Sequence, residues 1–213
     1  NRSTTHKMPI VITKGRRRNY LSHALGNYSI FSTSTLVSND GWAVGGCRAN
    51  LSGVAFRWTG TTWVTTTLPP NTLALKGIAR VSSTDAWAVG NSTGSLSTST
   101  PTIVHWDGTG WTVSSSIPQN GIYSLNAVSM FSSTSGIAVG ENGTIFRYSA
   151  PTWTETSPTP GTDNLTSVVA LPNGKAVAVG YGGVVYRFDG TSWTYAVPGP
   201  TINLNGISFV NST

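Results

Sequence analysis

Side chains able to perform acid–base chemistry are few in this chain. Only 9% of its 213 residues are charged, and seven residues are acids. We expect four acids to lie in equivalent hairpin turns of separate repeats, where aspartate commonly stabilises the turn. These acids are Asp40, Asp85, Asp107 and Asp189. A glycosidase needs two carboxylates roughly 5 to 10 Å apart across the bond that it cleaves, and turns of separate repeats are not expected to supply them. The sequence therefore predicts a protein that is not an enzyme.

Metal-binding and nucleophilic chemistry also lack a basis in the sequence. His6, His23 and His105 are scattered, and no set of His, Cys, Asp and Glu has the spacing of metal ligands. Neither a nucleophile elbow nor a phosphate-binding glycine loop is present. Cys47 is the single cysteine, so the chain forms no internal disulfide. We expect no metal and no cofactor.

A basic residue stands next to an aromatic residue at four regularly spaced places. The basic residues are Arg57, His105, Arg147 and Arg187. A cation packed on an aromatic ring is stabilised by a cation–π interaction, and we interpret these pairs as packing between layers of the fold. A ring of arginines that binds a ligand is the alternative.

Candidate modification sites are numerous, because seven asparagines occur in the acceptor motif for N-glycosylation, Asn-x-Ser/Thr. They are Asn1, Asn27, Asn50, Asn91, Asn142, Asn164 and Asn211. The internal ones fall in predicted turns, which can accommodate a glycan. Many such sites without disulfides are unusual for a secreted eukaryotic domain, and they fit an archaeal surface protein or a virus of such a host. The sequence thus predicts a glycoprotein located outside the cell.

The net charge of +6 arises near the N-terminus. Arg16, Arg17 and Arg18 form the densest basic cluster, and basic and acidic residues balance in the rest of the chain. We interpret the cluster as a solvated turn, and binding to an anionic surface is the alternative. Nucleic acid is not an expected partner, because no aromatic residues alternate with the arginines. No apolar run is long enough to predict a membrane-spanning helix.

One short phrase recurs four times, at intervals of 40 to 50 residues. The copies occupy residues 42–45, 87–90, 137–140 and 177–180, and each ends in Ala-Val-Gly. Around each copy lie four runs rich in Val, Ile, Trp, Phe and Thr, separated by Gly, Asn, Asp and Ser, which predicts four antiparallel strands. Four strands in this length are typical of one blade of a β-propeller. We expect the alanine of the phrase to be buried where blades meet.

On these motifs the chain from about residue 9 to 213 resembles the β-propellers with short Gly/Trp repeats, akin to the BNR and kelch types. The resemblance implies an all-β fold of four-stranded antiparallel blades and says little about function. Segments 107–111 and 189–193 are similar to the Asp-box of sialidases. In this chain, however, Asp and Gly are adjacent rather than separated by one residue, so no sialidase chemistry is carried over.

We predict a single domain over residues 1–213 that forms a five-bladed ring. Complete repeats are expected at about 26–70, 71–120, 121–160 and 161–200. The last blade would be shared between the termini, with strands from the basic segment 1–25 and a closing strand in 201–213. Closure of this kind removes the free sheet edge. Strand b of that blade is missing from the pattern, so residues 1–8 or a partner chain would supply it, and a fragment of a larger ring is the alternative.

The tryptophans invite a carbohydrate-binding interpretation, because aromatic faces stack on sugar rings and five-bladed lectins of the tachylectin kind are similar in size. Trp42 and Trp87 are nevertheless replaced by Ile137 and Val177 in the other repeats, which core packing tolerates better than a repeated sugar site does. Four others recur at one position of the repeat, namely Trp63, Trp111, Trp153 and Trp193. We therefore interpret the tryptophans as core residues.

Together these patterns predict a non-enzymatic extracellular β-propeller that serves in assembly or surface recognition, as part of a virion, filament or cell envelope. The expected partners are other protein subunits of that assembly. A carbohydrate-binding lectin, with glycans as partners, is the first alternative, and a secreted hydrolase is the second. The internal glycosylation motifs are expected on one face of the ring, which leaves the opposite face, the blade sides and the fifth blade for protein partners.

Overall fold

The structure is a computed structural model that describes residues 27–37, 39–92, 100–114, 117, 123–157, 163–196 and 202–209. Within these residues the chain is built from strands, with two short 3-10 turns at Glu141–Gly143 and Tyr181–Gly183. No described helix has the length and apolar character needed to cross a bilayer.

Sixteen described strands form four antiparallel sheets of four strands each. The first sheet contains β1 (Tyr28–Val37), β2 (Asp40–Cys47), β3 (Gly53–Trp58) and β4 (Trp63–Thr66). The second contains β5 (Thr72–Ser82), β6 (Asp85–Ser92), β7 (Thr100–Trp106) and β8 (Trp111–Val113). The third contains β9 (Leu125–Ser132), β10 (Ser135–Gly140), β11 (Ile145–Ser149) and β12 (Thr152–Glu155). The fourth contains β13 (Leu165–Ala170), β14 (Ala176–Gly180), β15 (Val185–Phe188) and β16 (Trp193–Ala196).

Within each sheet the strands lie side by side in chain order, and we call them a to d. This arrangement confirms the predicted fold class, with at least four four-stranded blades. The chain alternates between the two ends of each sheet. One end, formed by the a–b and c–d connections, is called the hairpin face below. The other, formed by the b–c connections and the links between sheets, is called the sequon face.

The core consists of three apolar layers between successive sheets and a smaller apolar cluster on the first sheet alone. Trp42 and Val44 of the first sheet pack with Ala88 and Val104 of the second. Equivalent layers join the second sheet to the third and the third to the fourth. Ala88, Ala138 and Ala178 of the recurring phrase are fully buried in these layers, which confirms that they lie where blades meet. Ala43 is 1% exposed and packs with Val54 and Phe56 of its own sheet.

Five buried tryptophans belong to these layers, namely Trp42, Trp87, Trp106, Trp111 and Trp153. Trp42 is fully buried, and its ring makes edge-on contacts with Trp106 and Trp111 of the next sheet, with centroids 5.0 and 4.9 Å apart. Trp87 packs against Tyr148 and Trp153 in the following layer. Edge-on aromatic pairs add stability beyond the area that they bury. This packing confirms the interpretation of these tryptophans as core residues.

Strand a of every sheet carries a β-bulge opposite the glycine of the recurring phrase. In the first sheet Ile30 pairs with Gly45 and Ser32 with Val44, so Phe31 is the extra residue. The bulge brings a strand a carbonyl against the glycine, where a Cβ on Gly45 would lie 1.9 Å from the oxygen of Ser29. The equivalent distances in the other sheets are 2.1, 2.3 and 2.1 Å, at Gly90, Gly140 and Gly180. The glycine therefore recurs because no side chain fits beside the bulge.

Residues 202–209 lie beside strand a of the fourth sheet. The amide of Leu204 donates to the carbonyl of Gly180 at 3.0 Å, and the amide of Ile207 donates to the hydroxyl of Ser167 at 3.3 Å. The second contact repeats the one between the first two sheets, where the amide of Ile78 donates to the hydroxyl of Ser32. The segment thus lies where strand a of a fifth blade was predicted, but its residues form no strand in the structure. The other strands predicted for that blade, near residues 10–15 and Tyr20, lie outside the described residues.

The buried alanines give a direct test of the blade register. We expect Ala88→Leu to lower the free energy of unfolding by about 1 to 3 kcal/mol, because the layer between the first two sheets has no room for the added carbons. Chemical denaturation of both proteins measures the difference. Ala49→Leu, in an exposed turn, is the matched control and should leave the stability nearly unchanged. Equal stability of Ala88→Leu and the unchanged protein would show that the register is wrong.

Candidate functional site

A cavity of about 340 Å³ lies where the strands a of successive sheets approach one another. The extra residue of each bulge lines it, because a bulge turns one side chain out of the regular alternation. These residues are Phe31, Lys76, Asn126 and Thr166. They occupy equivalent backbone positions in four sheets but differ in side chain. The cavity is therefore lined by an aromatic ring, a cation, an amide and a hydroxyl.

Lys76 connects two sheets inside the cavity. Its Nζ donates to Oδ1 of Asn126 at 3.1 Å and to Oε1 of Glu141 at 3.2 Å. The other carboxylate oxygen of Glu141 accepts the backbone amide of Ser124 at 3.1 Å, and Nδ2 of Asn126 donates to the carbonyl of Leu165 at 2.8 Å. Glu141 is the one carboxylate among the described residues that line the cavity. Both of its oxygens are engaged, so this cavity does not present the carboxylate pair that glycoside hydrolysis requires.

Two aromatic side chains stand exposed at the same cavity. Phe31 is 52% exposed and Tyr181 is 46% exposed. Exposed aromatic rings beside amides and a hydroxyl can contact the apolar face of a ligand while the polar groups fix its orientation. Sequence reasoning missed this cluster. Each bulge residue follows the apolar residue that lies fifteen positions before the glycine of the recurring phrase (Ile30, Leu75, Leu125 or Leu165), and that position was the available signal.

The acids at the hairpin face do not form one class, so the prediction of equivalent turns for all four is wrong for two of them. Asp40 and Asp85 begin strand b, where the carboxylate of Asp85 lies 2.9 Å from Nε2 of His105. Asp40 lies 3.3 Å from Nε of Arg57 and also binds the guanidinium of Arg80 in the next sheet. The Arg80 side chain is only 1% exposed, so this aspartate neutralises a buried charge.

Asp107 and Asp189 are turn formers, as predicted. The pKa of Asp107 is lowered to about 2, because its carboxylate accepts the hydroxyl of Thr109 and the amides of Thr109 and Gly110. The pKa of Asp189 is lowered in the same way, by the amides of Ser192 and Thr191 and the Thr191 hydroxyl.

The basic residues of strand c pack on aromatic rings in three of the four sheets. The guanidinium carbon of Arg57 lies 5.6 Å from the ring centroid of Trp106 in the next sheet, and that of Arg147 lies 5.2 Å from Phe188. His105 stacks on Trp87 of its own sheet, with centroids 4.1 Å apart. The predicted packing between layers is therefore confirmed for Arg57 and Arg147.

The described glycosylation motifs differ in accessibility. Asn27, Asn50 and Asn142 are exposed at the sequon face, as predicted. Asn164 is partly buried there, and its Oδ1 accepts the amide of Asn142 at 3.0 Å. Asn91 contradicts the prediction, because it lies within β6 and pairs with Pro101, and its buried Oδ1 has no hydrogen-bond partner among the described residues. Strands b and c of the second sheet extend further than predicted, and this extension removes Asn91 from the turn.

Some predicted sites fall outside the described residues. They are Asn1, Asn211, Arg16, Arg17 and Arg18. Among the residues that the structure describes, no group of three or more His, Cys, Asp and Glu is placed to hold a metal ion.

No protein-family model matches the chain, and no curated protein matches it. Solved structures do match. A YCF48 protein bound to a D1 peptide has a TM-score of 0.61 and 17% identity, over 85% of this chain and 58% of that one. YCF48 from Cyanidioschyzon merolae has a TM-score of 0.53 and 16% identity, over 83% and 61%. The WD40 repeats of RRP9 have a TM-score of 0.60 and 10% identity, over 83% and 56%.

The chain has a β-propeller fold. Four complete blades and these neighbours establish that fold. The identities are too low to carry a function from the neighbours to this propeller. The chain also spans less than two thirds of each of these structures.

The buried ion pair between blades can be tested by removing its acid. We expect Asp40→Ala to lower the free energy of unfolding by about 3 to 5 kcal/mol, because the guanidinium of Arg80 would remain buried without its counter-charge. Asp85→Ala is the matched control and should cost about 1 kcal/mol, since His105 is partly exposed. Denaturation of the two variants side by side measures the contrast. Similar losses in both would contradict the role assigned to Asp40.

The turn at Asp107 predicts a pH dependence. Its folded-state pKa lies below the ordinary value of 3.8, so the ionised carboxylate stabilises the turn above that value. This contribution should be lost as the pH falls from about 4 through about 2, and the stability difference between the unchanged protein and Asp107→Ala should shrink over that interval. An NMR titration of the Asp107 carboxyl carbon gives the midpoint directly. A midpoint near the ordinary value would show that the turn does not hold the carboxylate.

Proposed function

We propose that this propeller is a non-enzymatic, extracellular module that joins protein subunits of a surface assembly such as a virion, filament or cell envelope. The observation that carries the proposal is the position of Asn27, Asn50 and Asn142, three exposed acceptor asparagines at one face of the blades. Glycans on that face would shield it and keep it hydrated. The hairpin face would remain free to contact other subunits.

Protein partners are supported by one structural neighbour, which is a propeller bound to a peptide. Propellers present loops from several blades on each face, and a rigid scaffold that positions loops is suited to recognition. A non-enzymatic role is supported by the cavity, where Lys76 and the Ser124 amide already engage both oxygens of Glu141.

A carbohydrate-binding function is the second candidate, and the cavity favours it. Phe31 and Tyr181 are exposed beside the amide side chains of Asn126 and Asn164. Aromatic rings together with amides are suited to a sugar, whose ring carries both apolar and hydroxyl-bearing surfaces. This would be one central site and not a site repeated in every blade.

Glycosylation of the sequon face is the test of the first proposal. We expect the intact mass of protein from its native source to fall by several oligosaccharides after chemical deglycosylation. We also expect Asn142→Gln to remove one glycan and Asn91→Gln to remove none, because Asn142 is exposed and the Asn91 side chain is partly buried in a strand. An unchanged mass after deglycosylation would contradict an extracellular glycoprotein.

A glycan array separates the two candidates. The assembly module should show no saturable glycan binding, either as the unchanged protein or as Tyr181→Ser. Saturable binding that is lost in Tyr181→Ser and kept in Tyr195→Ser would establish the lectin instead. Tyr195 is the matched control because it is 53% exposed and lies on strand d, outside the cavity-lining set.

A further inference from the structure

The blades differ in charge at one repeated pair of positions on the hairpin face. The first residue of the pair lies at the start of strand b. The residue that follows it pairs with the aromatic residue of strand c, as Gly41, which follows Asp40, pairs with Trp58. The first residue is Asp40, Asp85, Ser135 or Lys175 in successive sheets. The second is the basic residue of strand c, which is Arg57, His105, Arg147 or Arg187. The register makes the four pairs directly comparable.

In the first two sheets the first residue is an acid, and it binds the basic residue of the pair. Asp40 binds Arg57, and Asp85 binds His105. In the third sheet the acid is replaced by Ser135, and in the fourth by a second cation, Lys175. Alternation along strand b places Lys175 on the same side of its sheet as Val177, and cross-strand pairing places Arg187 there too. The fourth blade therefore presents two cations where the first presents an ion pair.

The cations of the third and fourth blades lack acidic partners among the described residues. Arg147 packs on Phe188, but its Nε is buried without a hydrogen bond. Lys175 and Arg187 are exposed, and neither makes an ion pair with a described residue. The nearest acid in the register, Asp189, uses its carboxylate to accept the amides of its own turn.

The remaining acids of the third and fourth blades lie at the other end of the strands. They are Glu141, Glu155 and Asp163. Glu141 begins the turn after strand b, and the carbonyl of Asp163 accepts the amide of Gly143 in that turn. Glu155 pairs with Phe146, near the start of strand c. Glu141 and Asp163 therefore lie at the sequon face. Glu155 follows Thr154, the cross-strand partner of Arg147, so its side chain projects from the other side of the sheet, where it accepts the hydroxyl of Ser157.

We propose that Arg147, Lys175 and Arg187 form a docking site for an acidic segment of a partner protein. The inference rests on the proposed function, since it names the chemistry of the protein partner and the part of the hairpin face that receives it. Carboxylates of the partner would take the place that Asp40 and Asp85 fill within the first two blades. Arginine is suited to this because its fork of donors can hold a carboxylate through two hydrogen bonds.

A labelled oligoglutamate peptide is the probe, and fluorescence anisotropy of the full chain is the measurement. We expect binding that weakens as salt rises, as for any contact between partly exposed charges. The double variant Lys175→Gln/Arg187→Gln should bind at least about tenfold more weakly. Arg48→Gln is the matched control, because Arg48 is an exposed cation at the sequon face, and its binding should change less than about twofold.

A second pair of variants adds the missing acids and leaves the arginines in place. Ser135→Asp and Lys175→Asp should give Arg147 and Arg187 internal partners like those of Arg57 and His105. We expect peptide binding to weaken at least about tenfold when both changes are combined. Thermal unfolding of the same variant should occur at or above the temperature of the unchanged protein, which shows that the loss of binding is not a loss of fold.

Two results would overturn the site. One is peptide affinity that stays within about twofold in both double variants. The other is affinity that persists in them but is lost when Arg16, Arg17 and Arg18 are all changed to Gln, which would assign the binding to the N-terminal cluster. The proposed function is tested by a separate measurement, since it would be contradicted by an intact mass that shows no glycans.

Discussion

The close approach between strands a and b is the constraint on which the rest of this propeller depends. In each blade a bulge in strand a brings a carbonyl oxygen within about 2 Å of where a Cβ would stand on strand b, so strand b has glycine there. The bulge has two consequences. It fixes the register of strand b, which places the alanine and the apolar residues of the recurring phrase in the layers between blades. It also turns one side chain of strand a toward the central cavity.

Folding and recognition are therefore carried by different positions of the same repeat. The layers between blades accept Trp42, Trp87 or Ile137 at equivalent places, because each fills the space with apolar atoms. The bulge positions and the start of strand b differ in chemistry from blade to blade. Phe31 and Lys76 occupy the same backbone site, as do Asp40 and Lys175. Variation of this kind gives each described blade its own charge and polarity.

The fold could be predicted from the sequence because the residues that recur are the ones that the backbone geometry of each blade requires. The recurring Ala-Val-Gly predicted the position of strand b, and the buried alanines follow from it. The candidate sites were harder to predict, because they depend on which residues of different blades meet. The contact of Lys76 with Glu141 spans 65 positions, and the burial of Arg80 against Asp40 spans 40. The position of Asn91 was predicted wrongly for a related reason, since an alignment of the four repeats does not show how long strands b and c are in one particular blade.

The bulge also bears on how such a chain can change through evolution. Residues 31, 76, 126 and 166 are held by main-chain geometry and by the glycine opposite them, and their side chains point away from the layers that stabilise the ring. Substitution at any one of them changes the lining of the cavity with little demand on the core. Four equivalent positions on one backbone permit many linings, so propellers that share this repeat can diverge in ligand while their folding requirements remain the same.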